Sequence, residues 1–212
     1  MKKELERRAY NFEVRAEETE NGEKIITGRP IVYNSVTDLG WFDEVIERGA
    51  LDNTDLTDVR FLVNHNTEMI PLARSRRNNG NSTMKLTPDF EGLSLDFVKL
   101  DVENNSTSRA LYSAVQRGDI TGMSFMFSVD DEEWEDLESE HPTRRIKAIS
   151  SVVEVSAVTF PAYDATEINA RGKEALENAR LTLEKEQQQR EQSLESDSKQ
   201  LELEKAKTLS LI

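Results

Sequence analysis

Short apolar or alternating runs, separated by turn residues, fill the chain to about residue 164. "FEVRAE" and "EKIITGRPIVYN" flank Asn21-Gly22, a dipeptide suited to a tight hairpin. "DVRFLVNHN", "STMKLTP" and "GLSLDFVKL" follow as strand candidates, with Asp89-Phe90-Glu91-Gly92 as the turn between the last two. "TGMSFMFSV" and "RRIKAISSVVEVSAVTF" bring the β segments to at least seven, a number and spacing that predict a barrel or closed sandwich.

Two segments interrupt this pattern with helical spacing. "WFDEVIERGAL" sets Phe42, Val45 and Ile46 on one side and ends in Gly49, a helix-stop signal. "NSTSRALYSAVQRGD" offers Ser106 or Thr107 as N-cap, Leu111, Ala114 and Val115 as an apolar stripe, Arg117 in the last turn and Gly118 as stop.

From Gly172 the pattern changes. "KEALENARLTLEKEQQQREQSLESDSKQLELEKAKTLSLI" has no proline, no aromatic residue and many helix formers. Leu176, Ala179 and Leu183 are spaced for one helix face, and Leu194 and Leu201 lie a heptad apart, but "EKEQQQREQ" between them has no apolar face. Two readings stay open for this tail, a partner-binding or oligomerising helix and a partly disordered extension. The division expected is a folded domain over 1–168 and a helix-prone, cleavable tail over 169–212.

Within "GDITGMSFMFSV" (118–129) the strand faces are unequal. Met123, Phe125, Phe127 and Val129 point one way; Gly122, Ser124 and Ser128 point the other, with Met126 the bulky exception after Ile120. Either the sparse face meets water, where serine is ordinary, or Ser124 is a nucleophile displayed beside a groove.

Composition narrows the chemistry. Of 212 residues, 36% are hydrophobic and 32% charged, so some of the chain lies outside a packed core. Without cysteine there is no disulfide, no thiol nucleophile and no Cys-based zinc site. A formal charge of −14 opposes nucleic-acid binding and suits basic partners. No apolar run reaches the ~18 residues of a membrane span. The N-terminus lacks the apolar core of a secretory signal, which predicts a cytoplasmic protein. Eight acidic residues between Asp130 and Glu140 predict a solvated loop or hairpin tip, with a docking patch for a basic partner as the alternative.

A serine nucleophile needs a base, and the chain has two histidines. His65 ends the apolar run "VRFLVNH", on one strand face with Val59, Phe61 and Val63, which shelters it as a general base; a structural histidine at a strand end is the other reading. His141 lies between the acidic run and Pro142, exposed, where carboxylates favour its charged form. Glu154 sits within "SSVVEVSAVTF", where a carboxylate needs a partner, either Arg144 or Arg145 or an imidazole Nδ1–H. No GxSxG elbow is present, which excludes an α/β-hydrolase. Ser128 is the poorer nucleophile, because the adjacent acidic run opposes a developing oxyanion.

The ordered set "GRPIVYNS", "FDEVIERGAL", "VRFLVNHN" with "PLARS", "GDITGMSFMFSV" and "EVSAVTFPAYDAT", over about residues 10–168, resembles the prohead (capsid maturation) serine proteases of tailed bacteriophages. The resemblance implies a mainly β (α+β) fold like that of the herpesvirus assemblins, a small closed β-barrel of about seven strands ringed by helices. It implies Ser124 as nucleophile, His65 as base and, through the "EVS" segment, Glu154 as third member. His141 is the alternative, since the herpesvirus relatives use a second histidine. No cofactor or metal is implied. The expected substrates are scaffold or major capsid protein and the chain itself, inside the immature capsid in the host cytoplasm, with self-association, as a dimer, an open possibility. Two rivals remain: a non-catalytic assembly or scaffold protein, and a metal-dependent hydrolase using His65 and carboxylates. The oxyanion hole is not identified; backbone amides around "EVSAVTFPAY", or Arg144 or Arg145, are candidates.

Overall fold

A computed structural model describes residues 5–10, 14–160 and 165–209, with the backbone alone at 10, 165–172, 197, 198 and 200–209. Eleven strands and two α-helices follow in this order among the described residues: β1 (Glu6–Tyr10), β2 (Val14–Glu18), β3 (Lys24–Val32), β4 (Thr37–Asp38), β5 (Asp43–Ile46), β6 (Arg60–Val63), β7 (Ala73–Arg74), β8 (Met84–Pro88), β9 (Gly92–Lys99), α1 (Ser106–Arg117), β10 (Gly122–Glu135), β11 (Thr143–Val158) and α2 (Ala165–Leu209). The fold is mainly β, of α+β class. The chain divides into two compact units, Met1–Gly172 and Lys173–Ile212.

The strands form two sheets, and their hydrogen-bonded order does not close into the expected barrel. One sheet runs β1-β10-β11-β5-β4, with β6 also paired to β11 and β7 to β6; the other runs β2-β3-β9-β8. Each ends in edge strands, and side chains rather than backbone ladders join the two. Ile26, Ile31, Leu86, Leu93 and Leu95 of the smaller sheet share one buried core with Phe61, Met123, Phe125, Phe127, Ile149, Val152 and Val155 of the larger, and Leu111 and Val115 of α1 complete it.

Turn chemistry fixes several elements as the sequence implies. In the β8–β9 turn, Asp89 accepts bonds from the amides of Glu91 and Gly92. At Gly92, φ is 151° and a Cβ would lie 2.0 Å from the Ile31 carbonyl oxygen, so the chain requires glycine there. Helix α1 is capped one residue earlier than expected: the Asn105 side chain, rather than Ser106 or Thr107, accepts from the amides of Thr107 and Ser108. Gly118 ends it in the left-handed conformation.

One expected helix is absent. "WFDEVIERGAL" forms β5 and then turns. β5 pairs in parallel with residues 143–146 of β11, and Glu44, Val45 and Ile46 are all buried. A short strand enclosed on both faces carries no alternation, so its apolar positions mimic helical spacing. The acidic run divides between strand and tip. β10 extends through Glu135 and pairs with β11 as far as Thr143, leaving residues 136–142 as the hairpin tip.

Candidate active site

The long β10–β11 hairpin provides the platform. Ser124 lies opposite Ser156, and Met126 opposite Glu154, so these side chains share one face of the sheet. Met123, Phe125 and Phe127 fill the core on the other face. The sparse face does not meet water: every residue from Gly122 to Ser128 is buried, and Ser124 is 0% exposed.

His65 reaches this face by a different route from the one its sequence position implied. β6 stops at Val63, alongside Ala157 of β11. Asn64 and His65 then take left-handed backbone conformations, φ 51° and 52°. That turn ends the strand and lays the imidazole over the adjacent β11–β10 face, rather than continuing the Val59, Phe61, Val63 side of β6. Asn64 fixes the turn: its amide donates to the Ala157 carbonyl, and its side chain exchanges bonds with the backbone amide and hydroxyl of Thr159. Left-handed geometry costs a non-glycine residue ~1–2 kcal/mol, and these bonds offset it.

Ser124, His65 and Glu154 meet at hydrogen-bonding distance. His65 Nε2 lies 2.5 Å from Ser124 Oγ, and His65 Nδ1 lies 2.6 Å from Glu154 Oε2. All three are buried. A carboxylate only accepts, so Nδ1 carries the proton and Nε2 is left as the acceptor facing the serine hydroxyl.

Ser156 was not singled out in the sequence, yet it ties the cluster together. Its hydroxyl donates to Glu154 Oε1 and accepts the His65 backbone amide at 3.0 Å. Both carboxylate oxygens therefore have donors, which is how a charge survives in so apolar a strand. An alternating "EVS" tripeptide, placing acid and hydroxyl on one strand face, was the available signal.

Neither Arg144 nor Arg145 pairs with Glu154 among the described residues. Arg144 binds Glu6, Glu44 and Glu132; Arg145 binds Glu47 and Glu135. His141 is exposed and lies 3.2 Å from Asp43 and 3.7 Å from Asp38, at the hairpin tip. Ser128 bonds to Ser150 and Ser151, 2.9 Å from each. Of the backbone amides around "EVSAVTFPAY" named as oxyanion-hole candidates, those of residues 161–164 lie outside the described residues.

An unanticipated strand lies alongside Ser124. β1 pairs antiparallel with β10, Ala9 opposite Ser124, and Ser124 Oγ lies 2.7 Å from the Arg8 carbonyl oxygen. β1 is fastened by buried charges. Arg8 Nε and Nη2 bond to the two Glu44 oxygens at 2.5 and 2.6 Å, and Arg144 bonds to Glu6 at 2.7 and 2.9 Å. Burial opposes the charge of Arg8, but the Glu44 carboxylate outweighs it and holds the guanidinium above its ordinary range. Burial likewise favours neutral Glu6, yet the Arg144 hydrogen bonds and the Arg8 and Arg144 charges pull it down to about 2.

A family profile described as caudovirus prohead serine protease matches residues 10–180 of the chain. Neither a curated protein nor a solved structure shows a significant match.

Proposed function

This chain belongs to the caudovirus prohead serine protease family, and from that premise we propose that it is a serine endopeptidase of phage capsid maturation, with Ser124, His65 and Glu154 as its catalytic groups. The observation that carries this reading is the unbroken chain of contacts from Ser124 Oγ through the imidazole to Glu154, 2.5 and 2.6 Å long.

The chemistry is acyl transfer. Ser124 Oγ bonds to the carbonyl carbon of the scissile peptide while its proton passes to His65 Nε2. The C–N bond then breaks, and the same proton goes to the leaving amine. Water attacks the resulting ester, His65 takes its proton, and that proton returns to Ser124 Oγ as the new carboxyl end departs. Glu154 keeps the Nδ1–H tautomer and stabilises the imidazolium. Ser156 holds the carboxylate and the His65 backbone in place.

The substrates are scaffold or scaffold-like segments and capsid protein inside the prohead, in the infected cell. The tail after residue 172 is a candidate for self-removal, since residues 184–196 have exposed side chains throughout.

The test is co-expression with the capsid and scaffold proteins of the same phage, read by mass spectrometry of every chain. The wild type yields shortened products, and Ser124→Ala yields none. Equal processing by the Ser124→Ala protein would defeat the reading.

A further inference from the structure

Ser124 has two neighbours in the plane of its sheet. β11 occupies one edge of β10 over most of its length, and β1 occupies the other. An extended peptide that brings a carbonyl to Ser124 by adding to the sheet therefore has a single edge available, the one β1 holds. β1 is an edge strand of five residues, and the carbonyl it presents to the nucleophile, 2.7 Å from Oγ, belongs to Arg8.

The Arg8 side chain leaves the strand on the face of Phe125, its cross-strand partner. Its guanidinium stands 5.6 Å from the centroid of the Phe127 ring. Glu44 receives it through both carboxylate oxygens. Glu44 is 1% exposed and also pairs with Arg144, 3.1 Å away. Two residues earlier, Glu6 reaches across to Arg144. A planar fork of donors over an aromatic ring, met by a buried carboxylate, suits arginine better than lysine or any neutral side chain.

We propose that β1 occupies the substrate groove of this enzyme, and that Glu44 is the specificity-determining residue, selecting an arginine at the position whose carbonyl Ser124 attacks. The Glu6–Arg144 pair adds a preference for an acidic residue two positions before it. The preferred substrate class is thus an extended Glu-x-Arg peptide, cut after the arginine. This rests on the serine peptidase reading and adds the residue it recognises.

Quenched fluorescent peptides built on Glu-Arg-Arg-Ala-Tyr test it on the full-length protein, alongside full-length Arg8→Ala, which vacates the groove. The second arginine is replaced in turn by norleucine, glutamine and glutamate. The arginine peptide is cut after that residue, with kcat/KM on the order of 10²-fold above the norleucine peptide, and Arg8→Ala raises turnover. Glu44→Gln removes most of the advantage of the arginine peptide over the norleucine peptide. Comparing peptides on one protein needs no variant of Glu44, so misfolding of Glu44→Gln cannot mask the answer. Cleavage that depends on Ser124 but ignores the arginine would overturn this proposal and leave the peptidase reading intact. Where no peptide is cut, anisotropy of labelled peptides on Ser124→Ala and Arg8→Ala proteins separates the two ideas. Arginine-dependent binding lost in Glu44→Gln upholds the groove without the peptidase; equal binding of arginine and norleucine peptides, or none, rejects it.

Discussion

Glu154 stays in a strand whose neighbours Val152, Val155 and Ala157 are almost wholly enclosed because each of its carboxylate oxygens has a donor. Glu154→Gln keeps the volume but offers Nδ1–H a less basic acceptor, or an amide donor that forces the other tautomer. Peptide turnover is expected to fall by about 10³–10⁴, with thermal stability nearly unchanged. Ser156→Ala removes the donor to Glu154 and the acceptor for the His65 amide together. A loss of ~1–3 kcal/mol is expected in urea unfolding. A roughly tenfold or greater fall in kcat with little change in KM would mark it as a positioning residue. At this scale the sequence was informative: hydroxyls on the sparse face of a strand, one sheltered histidine and one acid among β-branched residues were visible as oddities. Ser156 was not, because a serine beside an acid has no oddity of its own.

At the scale of elements, β1 and β5 were missed for related reasons. "ERRAY" has little hydrophobic pattern, and Glu44 makes β5 look amphipathic and helical. Both strands are held by charges that find partners 36 and 100 residues away, and no local window records such pairs. The ionic fastening gives a pH prediction. Glu6 has a folded-state value of about 2 against an ordinary 4.5, so it binds protons less readily when folded. Its contribution, on the order of 3 kcal/mol as an upper bound, is full above about pH 5 and drains as the pH falls toward 2. Urea midpoints across that range are expected to decline, and Glu6→Gln is expected to flatten the decline. Turn and cap signals were more legible, since they act over a few residues. Asn105→Ala is expected to cost ~1 kcal/mol. Gly92→Ala, which drives a Cβ into the Ile31 carbonyl, is expected to cost about 3 kcal/mol or more in the same assay.

For the whole molecule, the two units differ in what holds them. Met1–Gly172 contains the core shared by both sheets and α1. In Lys173–Ile212, the helix exposes every side chain from 184 to 196, and its ion pairs Lys173–Glu177 and Lys199–Glu195 are solvent-facing. Such pairs stabilise a helix by only ~0.3–0.5 kcal/mol each. Limited proteolysis of the Ser124→Ala protein, which lacks the proposed nucleophile, is expected to nick residues 184–196 well before any site between β2 and β11. Mass spectrometry of the first fragments checks this.

What the amino-acid sequence determined by itself was whatever depends on near neighbours: the hairpins, the α1 helix and its Gly118 stop, the change of character near residue 172, and the residue types proposed for the site. The tertiary structure decided what depends on distant ones. It opened the expected barrel into two sheets, because closure is a matter of which edges pair. It turned His65 back over β11 through a left-handed corner that side-chain periodicity cannot register. It set β1 alongside Ser124 because buried opposite charges, unlike apolar stripes, carry no period along the chain and reveal their partners only once the sheet has assembled.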